Sequence, residues 1–280
     1  MKYLGNPEAS LITMWVIARH ISANGPTTVE ELFEVLRPKK LTTGEGEALT
    51  SSTLIGEDLG FFRTGDEAQP LKCLTEELED SSKWFDKFEG FASIARHQIV
   101  LQSERNVDER SDVGSAISWI LSRDWRRGHD VLADGIHAQE SGVVGATQSA
   151  AFGRWCLELG VSNPGLGRAK HGLMPDPTSA IRHDLGSVKG RQFTAREFYG
   201  RLSSSIPTGP QHALLRGTDR GLGNPEDLEL FGSVGYALLR LDHEGSIKMS
   251  ISDDAMERIQ FRFPGPGDEY RTVTHVEVLS

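Results

Sequence analysis

An α+β fold, mostly helical and assembled from tandem helix–helix–helix–hairpin units, is what this 280-residue sequence predicts. Two observations carry the prediction. Near the N-terminus, helical periodicity breaks into three short stretches and is followed by two strand-like runs around a polar turn. A helix end closed by glycine and continued by an apolar strand start then occurs at three places. This order is that of winged helix-turn-helix units with short β-hairpin wings. In that fold the third helix lies in the major groove and the hairpin touches the flanking backbone.

The first unit is expected over residues 1–80. Asn6-Pro7-Glu8 has the pattern of a helix start: a side-chain cap, a proline at the first helical position and an acid in the first turn. Leu11, Ile12, Trp15, Val16 and Ile21 follow at helical spacing, and Asn24-Gly25-Pro26 ends the helix. Thr28 and Glu31 stand at capping-box spacing before a second helix whose face is Leu32, Phe33 and Leu36 and whose stop is Pro38. A third helix is expected from about residue 47 to Gly60, a residue able to take the left-handed conformation of a helix terminus. Residues 61–64 and 70–74 flank a polar turn and are expected to pair as a hairpin. Thr50, Ser51, Ser52 and Thr53 suit a close approach to DNA, but the third helix carries no Lys or Arg, which favours a protein partner for this unit.

The glycine-ended pattern of residues 53–61 returns at 152–161 and at 237–247. In the last unit, expected over 191–280, residues 247–251 alternate as a strand and Ser252 to Ala255 supply a turn. Residues 258–263 alternate again, Pro264-Gly265-Pro266-Gly267 breaks the run, and residues 272–278 make a final strand. A second unit is expected over 81–190. Its helix spans residues 112–125, with Val113, Ile117, Trp119, Ile120 and Leu121 apolar, and its wing is the glycine-rich basic stretch 162–174. An aromatic stripe, Trp84, Phe85, Phe88 and Phe91, reads as core packing.

The net charge of −10 opposes a nucleic-acid role, but it is unevenly spread. Residues 161–220 hold nine basic and four acidic residues, +5, whereas residues 1–110 hold twelve basic and nineteen acidic, −7. An acidic chain with a basic middle can bind DNA through that section. The candidate contacts are Arg154, Arg168, Lys170, Arg182, Lys189 and Arg191, with Arg240 and Lys248 in the last unit. They would be mostly phosphate contacts, non-specific and sensitive to salt.

Catalytic patterns are absent from the sequence, so the chain is expected not to be an enzyme. Two distant cysteines and scattered histidines offer no zinc spacing, and no metal or cofactor is expected. His129-Asp130 reads as a helix-end pair. Gly165-Leu166-Gly167 lacks both the third glycine of a dinucleotide loop and the Gly-Lys-Ser/Thr ending of a phosphate-binding loop. Cys73 and Cys156, set among apolar residues, read as buried reduced thiols. With no signal-peptide pattern at the N-terminus and no apolar run of membrane-spanning length, a cytoplasmic protein without membrane contact is expected.

Leu4-Gly5-Asn6-Pro7, Trp15-Val16-Ile17-Ala18-Arg19, Ala237-Leu238-Leu239-Arg240-Leu241 and Thr274-His275-Val276 together resemble the DpdG family of bacterial phage-defence islands. That resemblance implies an accessory subunit on the restriction side of clusters that place 7-deazaguanine in DNA. It would act beside helicases and nucleases, and the resemblance carries no catalytic residues. The sequence thus leads to a non-catalytic DNA-binding accessory subunit. The alternatives are an acidic winged-helix scaffold that grips other subunits of a DNA-handling complex, and a transcriptional regulator, which would require a dimer and a palindromic site.

Overall fold

The computed structural model describes residues 3–37, 46–63, 72–73, 86–105, 112–130, 143, 145–165, 172–209, 227–253, 255, 257–263 and 269–279. The fold is α+β and mostly helical. Among the described residues there are nine helices and four small sheets. Among these residues all strand pairs are antiparallel except one.

Helices α1 (Leu11–Asn24), α2 (Val29–Leu36) and α3 (Glu47–Asp58) precede the strand pair β1 (Phe62–Arg63) and β2 (Lys72–Cys73), which join with Phe62 opposite Cys73. The capping box of α2 forms as its spacing predicts: the Glu31 amide donates to the Thr28 hydroxyl, and the Glu31 carboxylate accepts from the Thr28 amide at 2.9 Å. The start of α1 differs from the expectation. The cap is Ser10, whose hydroxyl accepts from the Thr13 amide, and residues 3–9 form turns instead of helix. The cause lies in other elements. A helix through Pro7 would need the Leu11 amide to donate to the Pro7 carbonyl. Instead Glu158 accepts the Leu11 amide at 2.7 Å, and the Arg154 guanidinium donates to the Pro7 and Ala9 carbonyls.

Helices α4 (Phe88–Arg105) and α5 (Asp112–Leu121) follow, then β3 (His129–Asp130), α6 (Ala146–Glu158), β4 (Ser162–Pro164) and β5 (Gly172–Pro175). The α5 helix stops at Leu121, short of Trp125, and the Ser122 hydroxyl turns back onto the Trp119 carbonyl at 2.7 Å. His129-Asp130 is therefore a strand and not a helix-end pair, with His129 opposite Leu173. The sheet order is β3–β5–β4.

The remaining elements are α7 (Thr178–Gly186), β6 (Gln192–Thr194), α8 (Ala195–Ser203), β7 (Asp227–Leu230), α9 (Gly232–His243), β8 (Ile247–Ser250), β9 (Arg258–Phe263), β10 (Glu269–Val273) and β11 (His275–Val278). The last sheet runs β6–β11–β8, the same arrangement as in the middle of the chain: first strand, last strand, second strand. The hairpin expected from the 252–255 turn does not form. Strand β8 pairs with β11, Met249 opposite Val276, because their alternate residues Ile247, Met249, Val276 and Val278 point into the core. Strand β9 pairs instead with β10 and, in parallel, with β7.

Each of α3, α6 and α9 ends in the same way. Gly60, Gly160 and Gly245 take positive φ of 79°, 68° and 76°. The next amide reaches back five residues: Phe61 to the Gly56 carbonyl at 2.7 Å, Val161 to Cys156 at 3.0 Å and Ser246 to Leu241 at 2.9 Å. A continuous hydrophobic core runs from Leu4 and Met14 through Trp155 and Phe198 to Val278. Phe91 is buried in it, 4.6 Å from the Phe61 ring, and Phe88 meets Trp15 edge-on, while Trp84 and Phe85 lie outside the described residues. No helix among the described residues is long and apolar enough to cross a membrane.

Candidate nucleic-acid interface

The glycine-ended helices α3, α6 and α9 each lead directly into a strand, so what covers them decides what they can touch. Helix α6 faces the N-terminal segment. Its residues Arg154 and Glu158, one turn apart, clamp the backbone of residues 7–11 as described above, and Trp155 stacks on Tyr3 at 6.2 Å. The same segment is held from α5. There the Asp112 carboxylate accepts the Tyr3, Leu4 and Val113 amides at 2.8, 2.9 and 2.8 Å. Burial pushes the carboxyls of both Asp112 and Glu158 above their ordinary values, and the amide hydrogen bonds pull the other way.

Helix α9 is covered at its N-terminal end. The Ser233 hydroxyl donates to the Leu121 carbonyl at 2.6 Å, and Tyr236 stacks on Trp125 at 4.0 Å with an interplanar angle of 11°. At its other end Arg240 bonds to Glu244 at 3.0 Å and to Asp176 at 3.3 Å, and Arg182 of α7 pairs with Glu244 as well. Hydrogen bonds from Arg182 and then Arg240 hold the Glu244 carboxyl below its ordinary value. Arg154, Arg182 and Arg240 thus all have intrachain partners.

Lys189, Arg191 and Lys248 lie near one end of the last sheet, Arg191 on the Phe193 face and Lys248 on the other face beside Glu277. Lys189 and Arg191 flank Gly190, whose φ is 78° and whose amide donates to the Val278 carbonyl at 2.7 Å; the Val278 amide donates in turn to the Arg191 carbonyl. Lys248 stands opposite Glu277, which stands opposite Gln192, so it lies in the same end rows of the β6–β11–β8 sheet. The Arg191 guanidinium sits 5.2 Å from the Phe193 ring centroid. All three cations are exposed, and among the described residues the Lys189 and Lys248 side chains have no hydrogen bond or ion pair. Arg168 and Lys170 lie outside the described residues. Chemically, the cluster presents fixed positive charge on a rigid sheet end, which suits an anionic backbone.

Several structural residues escape a reading of the sequence. Arg96 of α4 is buried, bonding to the Leu159 carbonyl at 2.8 Å and to the Asp184 carboxylate at 2.6 Å. Asp112 and Glu158 act on backbone far away in sequence, so no local pattern marks them. Arg126 and Arg127 had a visible signal, a basic pair before Gly128, but the expected helix extended to Trp125 and hid the turn. His129 is buried and its imidazole is bonded to the Asp124 carbonyl at 2.8 Å. Among the described residues, no group of three His, Cys, Asp or Glu could hold a metal ion. Burial raises the Cys156 thiol well above its ordinary pKa, which removes its nucleophilic form at neutral pH.

No curated protein and no solved structure matches the chain. The family profile described as DpdG-like matches residues 1–255, far more than half of the sequence. The chain belongs to the DpdG-like family, which ties it to DpdG-type DNA-modification systems.

Proposed function

We propose that this protein is a non-catalytic accessory subunit of a bacterial DNA modification and restriction system with an antiviral role. It works in the cytoplasm and contacts duplex DNA through phosphates. Its architecture is three winged-helix units, with α7 as the first helix of the last. The shared Gly60, Gly160 and Gly245 helix ends support that architecture, as does the common order of the β3–β5–β4 and β6–β11–β8 sheets. The observation that carries the DNA reading is the exposure of Lys189, Arg191 and Lys248 near one sheet end, where Glu277 and Glu197 are the neighbouring acids. With α6 and α9 engaged inside the chain, base reading by those helices is not expected, and binding is sequence-independent.

The test is fluorescence anisotropy with a labelled duplex at low salt. Lys189→Glu, Arg191→Glu and Lys248→Glu combined should weaken binding by roughly ten- to a hundredfold and flatten its salt dependence. Unchanged binding by a folded triple variant would reject the cluster as the contact.

A second reading, a protein-docking role for the first unit, is favoured by α3. Its Leu54 is 58% exposed in a stripe with Glu47, Thr50 and Asp58, an acidic and apolar surface without a cation. Beside it lies a groove of about 550 Å³ whose apolar lining of Ile12, Val16, Leu36 and Leu49 is joined by Glu8, Glu47 and Arg37. A stoichiometric partner lost on Leu54→Lys but retained by the triple variant would support this reading.

A further inference from the structure

We propose that the turns leading from the first helix to the first strand of the middle and last units are a repeated phosphate-contacting device, with Arg126 and Arg127 as its unassigned half. This rests on the DNA-contacting reading above and extends it to a second place on the protein.

The two turns are equivalent in the fold. Residues 122–128 connect α5 to β3, whose partner is β5, the last strand of its sheet. Residues 187–191 connect α7 to β6, whose partner is β11, again the last strand. Each turn contains a glycine, Gly128 or Gly190, and two exposed cations, Arg126 with Arg127 or Lys189 with Arg191. Counting Arg123 and Asp124 as well, each turn has a net charge of +2. The corresponding connection in the acidic first unit, Gly25 to Thr28 between α1 and α2, holds a glycine but no cation.

Both turns are held in shape before any ligand arrives. In the middle unit the Asp124 carboxylate accepts the Arg126 amide at 3.1 Å, and the His129 imidazole is bonded to the Asp124 carbonyl at 2.8 Å. Asp124 also holds the Arg126 guanidinium in two hydrogen bonds of 2.9 and 3.0 Å, leaving it exposed. The Arg127 amide donates to the Asp124 carbonyl at 3.4 Å, and its exposed side chain makes no hydrogen bond among the described residues. In the last unit the double hydrogen bond to Val278 serves the same end. A cation on a preformed turn loses less freedom on binding than one on a loop that must be ordered.

Gly128 also meets the wing of its unit. A β-carbon on Gly128 would lie 3.5 Å from the Gly165 α-carbon, so the turn abuts the residue from which the glycine-rich basic segment departs.

The experiment uses the full chain and a labelled duplex of about 30 base pairs at ~50 mM salt, with titrations repeated at higher salt. Arg126→Glu with Arg127→Glu, and separately Arg127→Glu alone, should weaken binding, the pair by about tenfold. The pair should also reduce the magnitude of the log–log salt slope by roughly one, since Asp124 already offsets the Arg126 charge. Arg19→Glu, a reversal at an exposed position of α1, should leave affinity within about twofold, and matching thermal melts exclude misfolding. If the wild type binds and the folded Arg127→Glu and paired variants bind equally well, the inference fails and the general DNA reading stands. If the wild type itself does not bind duplex at low salt, the DNA reading fails and takes this inference with it.

Discussion

Glu158, at the end of α6, accepts the backbone amide of Leu11 at 2.7 Å and so caps the first helix of the N-terminal unit from the middle of the chain. Arg154, one turn earlier on α6, binds the carbonyls that precede that helix. Together they replace one helical hydrogen bond with three charge-assisted ones from α6. Glu158→Ala should destabilise the protein by about 1–2 kcal/mol, the usual loss of a helix cap. In urea denaturation, Arg154→Ala and Glu158→Ala should be non-additive, since both act on one turn of backbone. Strict additivity would show that the two side chains act separately.

Gly245, just after α9, and Gly56, inside α3, separate two effects. Gly245→Ala meets no neighbour within 4 Å, so only its φ of 76° resists the substitution, at about 1 kcal/mol. Gly56 is helical, and propensity alone would favour alanine there by about 1 kcal/mol. A β-carbon at Gly56, however, would lie 2.2 Å from the buried Phe62 ring. Gly56→Ala should therefore destabilise by roughly 1–3 kcal/mol, as overpacking does. A stabilised Gly56→Ala protein in thermal melts would contradict the packing of β1 on α3.

Arg96 and Asp184 form the most buried ion pair among the described residues, with side chains 3% and 11% exposed. Asp184→Leu strands a buried guanidinium and should cost about 3–5 kcal/mol. Adding Arg96→Met should recover part of that loss, because no unpaired charge remains. A double variant weaker than Asp184→Leu would mean that the arginine's bonds to the Leu159 and Ala180 carbonyls outweigh its desolvation.

Two sets of carboxyls titrate with opposite sign. Backbone amides at the capping boxes hold Glu31 and Glu197 below the ordinary 4.5, so their stabilisation is complete above that value and is lost as pH falls through the lower folded values. Burial raises Glu158, so its contribution is largest at low pH and declines as pH rises through the raised value. Glu197→Gln should therefore be less stable than wild type at about pH 7, with the gap closing by about pH 3. For Glu158→Gln the wild type should gain on the variant as pH falls. Chemical denaturation across pH reads both, and parallel curves would contradict the assignment.

The local signals in the sequence translated well into structure. Thr28 and Glu31 form their capping box, and Gly60, Gly160 and Gly245 all turn left-handed, because caps and helix ends depend on a few adjacent residues. What the sequence concealed was set by distant partners. Asn6-Pro7-Glu8 has every feature of a helix start, yet Arg154 and Glu158, almost 150 residues away, take the hydrogen-bonding groups that such a start would use. Strand β8 alternates correctly but finds its partner in β11, beyond an intervening β9–β10 pair. For the interface, residue type alone selected Arg154, Arg182 and Arg240 alongside Lys189, Arg191 and Lys248. Only the fold shows that the first three are engaged by internal carbonyls and carboxylates.

The central claim, that the chain contacts DNA through phosphates while two of its three glycine-ended helices are engaged internally, is tested most directly by salt titrations on two duplexes of equal length and unrelated sequence. The account predicts dissociation constants within about threefold of each other, with log affinity falling linearly in log salt. A preference of about a thousandfold for one duplex would instead be base-specific readout, and failure to bind either at ~50 mM salt would contradict the claim altogether.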